Sequence, residues 1–511
     1  MALAESSCEV LVAGAGPTGL VLALWLNRLG VKVRIVDRLP AAAPYSRALG
    51  VQARTLEFYA QMDLAASVVA AGRQVEAANL WVAGRRVAHA PLGPMGTGIS
   101  PYPYVLIYPQ DAHERLLEDR LRAAGVAVDR GVELAAFSET ADGIAAELRH
   151  AGGRVETCAA RYLAGCDGAH SRVREGLGAA FDGGAYAHLF YVADVDGSGE
   201  AMNGELQVGL DRDDFMAIFP LPGSGRARLV GTVRPDAGRA GVPLAWEDVN
   251  QRVRAWMPVE VARVNWFSTY HVHHRVAQSF RGGGAFLLGD AAHVHSPVGA
   301  QGMNTGIGDA VNLAWKLAAV LHGGAAPWLL DTFDTERRAF ARELVETTDR
   351  IFAAATSDRL LARFTRMELL PHLLAPVLSQ TPTRRALFRR VSQTAINYRG
   401  SRLSVGRTGR LAAGDRLPWT GGVSGVDNFA PLHALAWQAH VYGGAGASWR
   451  RRCAELGLPL HEFAWAPAIA ATGLVQDALY LIRPDGYIGL AEPAAATDSL
   501  AAYWAALSAA S

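Results

Sequence analysis

The residues with the clearest chemical meaning lie near the N-terminus, in the segment VLVAGAGPTGL. Gly14, Gly16 and Gly19 have the G-x-G-x-x-G spacing, directly after an apolar run and at the start of a helical pattern. Glycines at this spacing permit a tight turn and let backbone amides approach a pyrophosphate at a helix N-terminus. Asp37 ends the next apolar run, where a carboxylate can accept a hydrogen bond from a ribose hydroxyl. The segment predicts dinucleotide binding, and a purely structural tight turn is the alternative.

A second candidate is the segment RYLAGCDGAHSRVREGLG, in which an apolar run ends at Asp167 and Gly168. A helix is predicted to start near Ser171. A turn of this kind can present the side chains of Asp167 and Arg172 to a ribose or a phosphate. An ordinary strand-to-helix turn explains the same residues equally well, so the segment alone leaves both alternatives open.

The third candidate, LLGDAAHVHSPVGAQGMNTGIGDA, is rich in glycine before it becomes helical. Free backbone amides at such a helix start can bind an anion, and the helix dipole favours negative charge there. The segment lacks the Gly-Lys-Ser or Gly-Lys-Thr that a P-loop requires. An anion-binding loop of another kind is therefore predicted.

The elements around these loops place them in a fold. Apolar runs over 9–13 and 32–36 flank a helical stripe over 19–29, which predicts a β-α-β unit with parallel strands covered on both faces. Doubly wound α/β is the fold class that follows. Strand patterns return over about 182–275, with a predicted hairpin turn at 222–225. This inserted sheet would form a second lobe, with room for a ligand between the two.

Composition and periodicity divide the chain further. Helical periodicity continues with breaks from Met303 to about residue 396, and GRTGRLAAGDRLPWTGGVSG then has the composition of a linker. The predicted boundaries are 1–181 and 276–395 for the nucleotide-binding part, with strands of the second sheet also near 73–110, then 182–275 for the inserted sheet, 396–411 for the linker and 412–511 for a small C-terminal α/β unit.

The composition favours a small-molecule partner. Among 511 residues, Lys+Arg 49 nearly cancels Asp+Glu 48, so neither nucleic acid nor an anionic membrane is indicated. The cysteines Cys8, Cys158, Cys166 and Cys453 include no CxxC pair, which argues against a disulfide scaffold and suits a reducing compartment. The uncharged stretch 10–26 is interrupted by glycines and lacks a basic n-region, so we expect a cytoplasmic protein without a membrane span.

The three glycine-containing segments occur in a characteristic order. With YLAGCDGAHSRVR and FLLGDAAHVHSPVGAQGMNTGIGDAVNLAWKLA after the first loop, the chain resembles the FAD-dependent aromatic hydroxylases over about residues 8–395. These are class A flavoprotein monooxygenases related to p-hydroxybenzoate hydroxylase. The resemblance implies an α/β fold, with a Rossmann-like FAD-binding domain and an inserted β-sheet substrate domain.

The C-terminal segment LIRPDGYIGLA carries a resemblance of its own. It is similar to the thioredoxin-like domain of the phenol hydroxylase and aromatic-polyketide hydroxylase branch. Without a CxxC pair such a domain cannot act as a dithiol oxidant. We therefore expect it to serve packing or the formation of a homodimer.

The resemblance also implies which residues hold non-covalent FAD. Arg47 is expected to help the flavin move, and Pro297 to wall the face on which oxygen adds, so both are candidate catalytic residues. The full cofactor set is Gly14, Gly16, Pro17, Thr18, Gly19, Asp37, Arg38, Arg47, Gln110, Asp167, Gly168, Asp290, Pro297, Gly299, Gly302, Met303 and Asn304.

One residue departs from the family pattern. Ala300 stands where many members carry a second glycine after the position of Gly299. Its methyl group would lie beside the expected flavin and could restrict a backbone conformation that glycine leaves open.

Two groups of histidines superficially suggest a metal site. The later pair lies in the GDAAHVHSP segment, and the earlier group resembles the family's strand before that segment, so we expect no metal. These histidines are His293 and His295 in the pair, and His271, His273 and His274 in the earlier group.

The implied reaction uses NADPH or NADH to reduce FAD, and NADPH is the favoured of the two. Dioxygen then forms a flavin C4a-hydroperoxide, and one oxygen atom is transferred to a phenolic or polycyclic aromatic small molecule. The protein's tasks are to place the substrate, activate a phenol and exclude water. No second nucleotide-binding motif is found, which agrees with a reductant that binds transiently.

The substrate pocket is expected between the inserted sheet and the FAD-binding part. A flavin oxidoreductase that does not insert oxygen, and a non-catalytic flavin- or ligand-binding protein, are the alternative functions. A flavin halogenase is disfavoured, because its Trp-x-Trp-x-Ile-Pro stretch is missing. The candidate pocket residues are Phe215, Phe219, Pro220 and Tyr108, with Leu221, Tyr102 and Tyr104 as further apolar candidates.

Overall fold

The structure is a computed structural model that describes residues 4–44, 48–210, 215–233, 244–296, 299–356, 380–494 and 499–508. The described residues form a mixed α/β fold with several sheets. In chain order the strands are β1 (Ala4–Ala13), β2 (Val33–Asp37), β3 (Gly50–Val51), β4 (Arg73–Gln74), β5 (Ala77–Val82), β6 (Arg85–Pro91), β7 (Leu106–Ile107), β8 (Val128–Arg130), β9 (Val132–Thr140), β10 (Gly143–His150), β11 (Val155–Gly165), β12 (Phe181–Ser198), β13 (Leu206–Leu210), β14 (Phe215–Pro220), β15 (Arg226–Val233), β16 (Glu260–Ala277), β17 (Arg281–Gly282), β18 (Ala285–Leu287), β19 (His293–Val294), β20 (Val405–Thr408), β21 (Leu411–Ala412), β22 (Gln438–Tyr442), β23 (Leu460–Phe463), β24 (Leu479–Ile482) and β25 (Ile488–Glu492).

The helices connect these strands and cover their faces. They are α1 (Pro17–Arg28), α2 (Ala53–Ala60), α3 (Ala65–Ala71), α4 (Gln110–Ala123), α5 (Arg172–Gly176), α6 (Trp246–Trp256), α7 (Gly302–Leu321), α8 (Asp331–Thr356), α9 (Thr381–Val391), α10 (Gly421–Ser424), α11 (Ala447–Glu455) and α12 (Ser499–Ser508). Short 3₁₀ turns occur at Glu200–Met202, Gly289–Ala291, Pro327–Leu330, Ala430–Ala434 and Pro467–Thr472.

The first sheet contains the predicted β-α-β unit. Its parallel strands run in the order β18-β11-β1-β2-β8, and three antiparallel strands complete it: β17 pairs with β18, β10 with β11, and β9 with β10. Residues Val10–Ala13 of β1 are almost fully buried, because helices cover both faces of a parallel sheet. Helix α1 begins at Pro17, earlier than the pattern predicted, since proline fits the first helical position. The carboxyl ends of these strands therefore meet the glycine-rich loops along one edge.

The strands of the second sheet alternate along the chain with those of the first sheet. Its order is β19-β16-β12-β15-β14-β13-β5-β6. The hairpin β5–β6 comes from the N-terminal part of the chain and joins through parallel pairing of β5 with β13. One face of the sheet packs on α6, and the other carries an aromatic cluster. The two long strands β12 and β16 give the sheet its length.

The third sheet has the order β21-β20-β25-β24-β22-β23. Strands β22 and β23 are parallel and are connected by α11, whereas β24 pairs antiparallel with both β22 and β25. The predicted linker 396–411 is wrong in its second half, because Val405 pairs with Leu490 and β20 belongs to this sheet. This short strand lies near the sheet edge, between β25 and the two-residue β21, where the glycine- and arginine-rich composition that suggested a loop is tolerated. Among the described helices, none is long and apolar enough to cross a membrane.

Candidate flavin site

The three glycines of the first loop have different environments. A Cβ atom on Gly14 would lie 2.3 Å from the Cys166 carbonyl oxygen, and one on Gly19 would lie 2.0 Å from the Gly14 carbonyl oxygen. A Cβ atom on Gly16 would meet nothing within 4 Å. Gly16 precedes α1, whose N-terminus has no side-chain cap and starts with Pro17. The outer glycines thus allow close packing, and the middle one borders an open space beside uncapped amides that suits a pyrophosphate.

Asp37 is held against this loop. Its carboxylate accepts hydrogen bonds from the backbone N–H of Ala15 at 2.7 Å and of Leu39 at 2.8 Å. An Arg130 guanidinium nitrogen lies 3.9 Å away. A carboxylate has about four acceptor positions, so these contacts orient it and leave capacity for a ribose hydroxyl. Arg38, next along the chain, is exposed.

Asp167 lies in the turn that packs on Gly14. One carboxylate oxygen accepts from the backbone N–H of Arg172 at 2.7 Å and of Val173 at 3.3 Å. The other oxygen is buried and has no hydrogen-bond partner among the described residues. Burial raises the pKa of Asp167, and its hydrogen bonds oppose that shift. A buried carboxylate oxygen without a donor fits a site that a ligand hydroxyl completes.

The two other residues considered in this turn are Gly168 and Arg172. Gly168 has φ +79°, and a Cβ atom there would meet nothing within 4 Å. The side chain of Arg172, the other residue considered for a ribose or a phosphate, pairs with Glu175 at 2.9 Å on the surface. Gly168, next to the Asp167 backbone that packs on Gly14, therefore borders open space as Gly16 does.

Thr18 connects the first loop to the third glycine-rich segment. A Cβ atom on Gly289 would lie 2.8 Å from the Thr18 hydroxyl oxygen, and one on Gly306 would lie 2.2 Å from it. Gly289 opens the short turn that carries the exposed Asp290. The N-termini of α1 and α7 are therefore neighbours. Three motifs far apart in sequence border one open space, which we call the cradle.

Asn304 fixes the loop that leads into α7. Its amide nitrogen donates to the carbonyl oxygens of Gly50 and Ala300, both at 2.9 Å. Its amide oxygen accepts from the backbone N–H of Gln52 at 2.9 Å and from the Thr55 hydroxyl at 2.8 Å. The side chain that the resemblance assigned to FAD binding is thus engaged within the protein, where it shapes the loop.

Other parts of the same loop face the cradle or border it. The side-chain amide of Gln52 donates to the Gly299 carbonyl oxygen at 3.0 Å. Gly302 is the first residue of α7, and Met303 is half-buried in the first turn. No side chain caps this helix. Its free amides and dipole suit the negative edge of a reduced flavin.

Ala300 adopts a left-handed backbone with φ +52°. A Cβ atom on Gly50 would lie 2.6 Å from the Ala300 Cβ atom, so the methyl group fills space that Gly50 leaves. The methyl group was expected to restrict the loop backbone. Ala300 nevertheless takes a left-handed conformation, which an L-residue seldom adopts. The methyl group packs on β3.

A buried carboxylate that the motif comparison missed holds the GDAAH turn. Asp309 accepts from the backbone N–H of Gly289 at 3.0 Å and is 2.7 Å from His293 Nε2. Arg337 Nε donates to it at 2.6 Å. Burial opposes ionisation, but Arg337 and His293 outweigh it and lower the pKa of Asp309. An acidic residue inside the apolar pattern of α7 was the available sequence signal.

The histidines considered for a metal are engaged otherwise or stand apart. His293 pairs with Asp309, and no group of three or more metal-ligating side chains is found in the described part of the chain. Arg47 and Pro297, the two candidate catalytic residues, lie outside the described residues.

Gln110 and Tyr108 lie at the start of α4. The Gln110 backbone N–H donates to the Ala48 carbonyl oxygen at 3.0 Å, and its side chain donates to Glu114 at 2.7 Å. The Tyr108 hydroxyl donates to the Ala112 carbonyl oxygen at 3.1 Å. The ring of Tyr108 belongs to the core of the first sheet, away from the aromatic cluster of the second.

An aromatic cluster lies on the face of the second sheet opposite α6, and it was only partly predicted. The rings of Phe190 and Tyr270 lie 5.8 Å apart, and Trp266 extends the same face. Phe219, a predicted pocket residue, packs both on this cluster and on Leu49 and its neighbours. Alternation along β12 and β16 determines which residues share the face, but pairing of these distant strands was needed to bring them together.

A buried ion pair lies beside this cluster. Arg228 is 1% exposed and donates to both carboxylate oxygens of Asp194, at 2.6 and 2.7 Å. A third nitrogen of Arg228 donates to the Ala48 carbonyl oxygen at 3.4 Å. The pair therefore ties the second sheet to the segment that precedes β3 at the edge of the cradle.

Two predicted pocket residues lie elsewhere. Phe215 packs with Leu80 and Val82 near the far edge of the second sheet. Pro220 lines a separate polar cleft with Arg73 and Arg226. The structure thus groups Phe219 with the aromatic face and separates Phe215, Pro220 and Tyr108 from it.

Comparison with known proteins agrees with this geometry. A family described as FAD binding domain matches residues 7–348. The chain belongs to this family. The 6-methylpretetramide 4-monooxygenase of Streptomyces rimosus is 35% identical, with 98% of this chain and 93% of that protein covered. The pentachlorophenol 4-monooxygenase of Sphingobium chlorophenolicum is 32% identical over 81% of this chain and 76% of that protein.

A solved member has the same overall architecture. The anhydrotetracycline hydroxylase from Streptomyces rimosus superposes with a TM-score of 0.78 at 28% identity, covering 99% of this chain and 100% of that one. The resemblance to FAD-dependent aromatic hydroxylases is confirmed. The protein described by this sequence is therefore a flavin-dependent aromatic monooxygenase, with FAD as cofactor and NAD(P)H as co-substrate.

Proposed function

We propose that the enzyme hydroxylates a polycyclic phenol bound between the aromatic face of the second sheet and the start of α7. The observation that carries this proposal is the face on which the half-buried rings of Trp266 and Tyr270 pack on the buried Phe190, because their flat rings suit stacking on a fused aromatic system. Relatives named for 6-methylpretetramide and anhydrotetracycline support a substrate of several rings. The monooxygenase named for pentachlorophenol keeps a single ring as the second candidate.

The cradle residues have distinct tasks in this proposal. Gly16 and Gly168 leave space for the FAD pyrophosphate and ribose, Gly14 lets the loop pack closely beside them, and the carboxylates of Asp37 and Asp167 accept hydrogen bonds from hydroxyl groups. When bound, FAD supplies the redox chemistry, taking a hydride from NAD(P)H and activating dioxygen for transfer to an aromatic carbon. The protein orients the substrate ring and keeps water out.

The domain organisation belongs to the same proposal. The parallel first sheet with its glycine loop supports a Rossmann-like FAD-binding domain, and the second sheet an inserted substrate domain. In the third sheet, the order β25-β24-β22-β23, with α11 between parallel β22 and β23, supports a thioredoxin-like unit followed by α12. We propose that this unit serves packing, because its hairpin turn at Asp485 is buried against α7.

Oxygen transfer is tested by turnover under labelled dioxygen. The holoenzyme is incubated with NADPH and a panel of one-ring and fused-ring phenols, and NADPH consumption, hydrogen peroxide and product mass are measured. Phenol-stimulated consumption with a product that gains one labelled oxygen atom supports the proposal. Consumption that yields only hydrogen peroxide with every phenol supports an oxidoreductase that inserts no oxygen. Bound flavin with no stimulation by any phenol supports a binding protein, and both outcomes contradict hydroxylation.

A further inference from the structure

His295 lies between the second sheet and helix α7. It follows β19, which pairs with β16 at the sheet edge, and precedes α7. Its Nδ1 is 2.7 Å from the Ser296 carbonyl oxygen. A carbonyl oxygen can only accept, so Nδ1 carries the proton and Nε2 carries a lone pair. The imidazole is thus fixed as a hydrogen-bond acceptor at Nε2.

The Nε2 atom is buried and has no hydrogen-bond partner among the residues that the structure describes. A Cβ atom on Gly302 would lie 3.7 Å from it, so it faces the first turn of α7. A buried acceptor without a donor costs free energy, and native proteins seldom leave one. The position indicates that a ligand supplies the missing donor at the ring end of the cradle.

The neighbouring histidine shows the contrast. His293 Nε2 contacts the Asp309 carboxylate at 2.7 Å, inside the network that holds the GDAAH turn. His295 has no such acidic partner in the described contacts, and burial together with His293 lowers its pKa to about 4. His295 is therefore neutral near pH 7, which keeps Nε2 available as an acceptor.

We propose that His295 Nε2 accepts a hydrogen bond from the phenolic hydroxyl of the substrate. This inference rests on the proposed function and assigns the residue that orients the ring. Dioxygen has no hydrogen to donate, whereas a phenolic hydroxyl donates from the edge of the ring that the aromatic face holds. Holding the hydroxyl at one point determines which ring carbon lies nearest the oxygen-transfer position.

The test compares a phenol with its methyl ether. Binding of 1-naphthol and of 1-methoxynaphthalene to the oxidised holoenzyme is followed by the change in flavin absorbance, for the unaltered enzyme, His295→Leu and His295→Gln. The unaltered enzyme should prefer 1-naphthol by about tenfold, the size of one neutral hydrogen bond. The leucine variant should bind both compounds equally, and the glutamine variant, which keeps an acceptor, should recover part of the preference.

The outcomes separate three cases. A naphthol preference that persists in His295→Leu, or is missing from the unaltered enzyme, overturns the inference. The inference is also overturned if His295→Leu raises the FAD dissociation constant and His295→Gln brings it back, since Nε2 would then contact the cofactor. Because binding is measured without turnover, an enzyme that binds 1-naphthol through His295 and never incorporates labelled oxygen would contradict the proposed function and leave this contact standing.

Discussion

Gly50 and Ala300 share one small space between β3 and the loop before α7. Their Cβ atoms would lie 2.6 Å apart, so a methyl group at one position leaves no room for one at the other. We predict that Gly50→Ala lowers the free energy of unfolding by about 1–3 kcal/mol through overpacking. It should also weaken FAD binding, because Asn304 holds both segments. Thermal unfolding and FAD titration measure the two effects.

The second substitution at this contact provides the control. Ala300→Gly alone removes the strain of a left-handed alanine but raises the conformational entropy of the unfolded chain. Its net effect on the free energy of unfolding should therefore stay within about 1 kcal/mol. Combined with Gly50→Ala, it should restore most of the lost stability. Strictly additive losses in the double variant would show that the two positions do not compete for this space.

Gly14 and Gly16 allow packing and ligand binding to be separated. Gly14→Ala brings a Cβ atom to 2.3 Å from the Cys166 carbonyl oxygen at φ +102°, and should destabilise the apoprotein by about 2 kcal/mol or more. Gly16→Ala meets no protein atom within 4 Å, so apoprotein stability should change by less than about 1 kcal/mol. The FAD dissociation constant of Gly16→Ala should nevertheless rise at least about tenfold, because the methyl group enters the pyrophosphate space. Equal FAD affinity in Gly16→Ala and the unaltered protein would contradict the cradle.

Helices α7 and α8 are joined to the third sheet by buried charges. Glu336 accepts from Lys316 at 2.8 Å and from Arg483 at 2.8 and 3.0 Å, and Arg483 also pairs with Asp485 in the hairpin turn. The Glu336 side chain is 1% exposed, so its neutralisation leaves buried cations without their partner charge. We predict that Glu336→Gln lowers the free energy of unfolding by about 3–5 kcal/mol, measured by denaturant titration.

An exposed pair on the same helix serves as the matched control. Glu346 lies 3.4 Å from Arg350, and their side chains are 67% and 80% exposed. Solvent screens such a pair, so Glu346→Gln should change stability by less than about 0.5 kcal/mol. A similar loss in both variants would mean that the effect comes from helix α8 itself and not from the buried network.

The sequence predicted features that depend on local structure and missed those that depend on contacts between distant elements. Gly14 and Gly19 were recognised because their spacing reflects a local turn and its packing against a strand. Asp309 and Glu336 were missed because their partners Arg337 and Arg483 come from other elements, and only the fold brings them together. Phe219 was grouped with Phe215 by sequence proximity, while the pairing of β14 with its neighbours sends them to different clusters.

Buried carboxylates of low pKa lie at several junctions of the molecule, and they determine its response to acid. Glu57 joins α2 to Arg416, Asp309 joins the GDAAH turn to Arg337, and Glu336 joins α8 to the third sheet. Burial opposes ionisation at each, but the arginines prevail and lower the pKa of all three.

The sign of the effect follows from these directions. An unfolded chain takes up protons near pH 4 at groups that stay ionised in the folded protein, so the stabilisation is complete above about pH 4.5 and is lost as the pH falls further. We predict a steep fall of the melting temperature as the pH drops from about 4.5 to 3, with FAD released in the same transition, because α7 belongs both to the cradle and to the charge network. Calorimetry and flavin fluorescence across this range measure the two events. Glu336→Gln should flatten the pH dependence, since one of the titrating groups is gone, and an unchanged slope in that variant would place the acid response in other carboxylates.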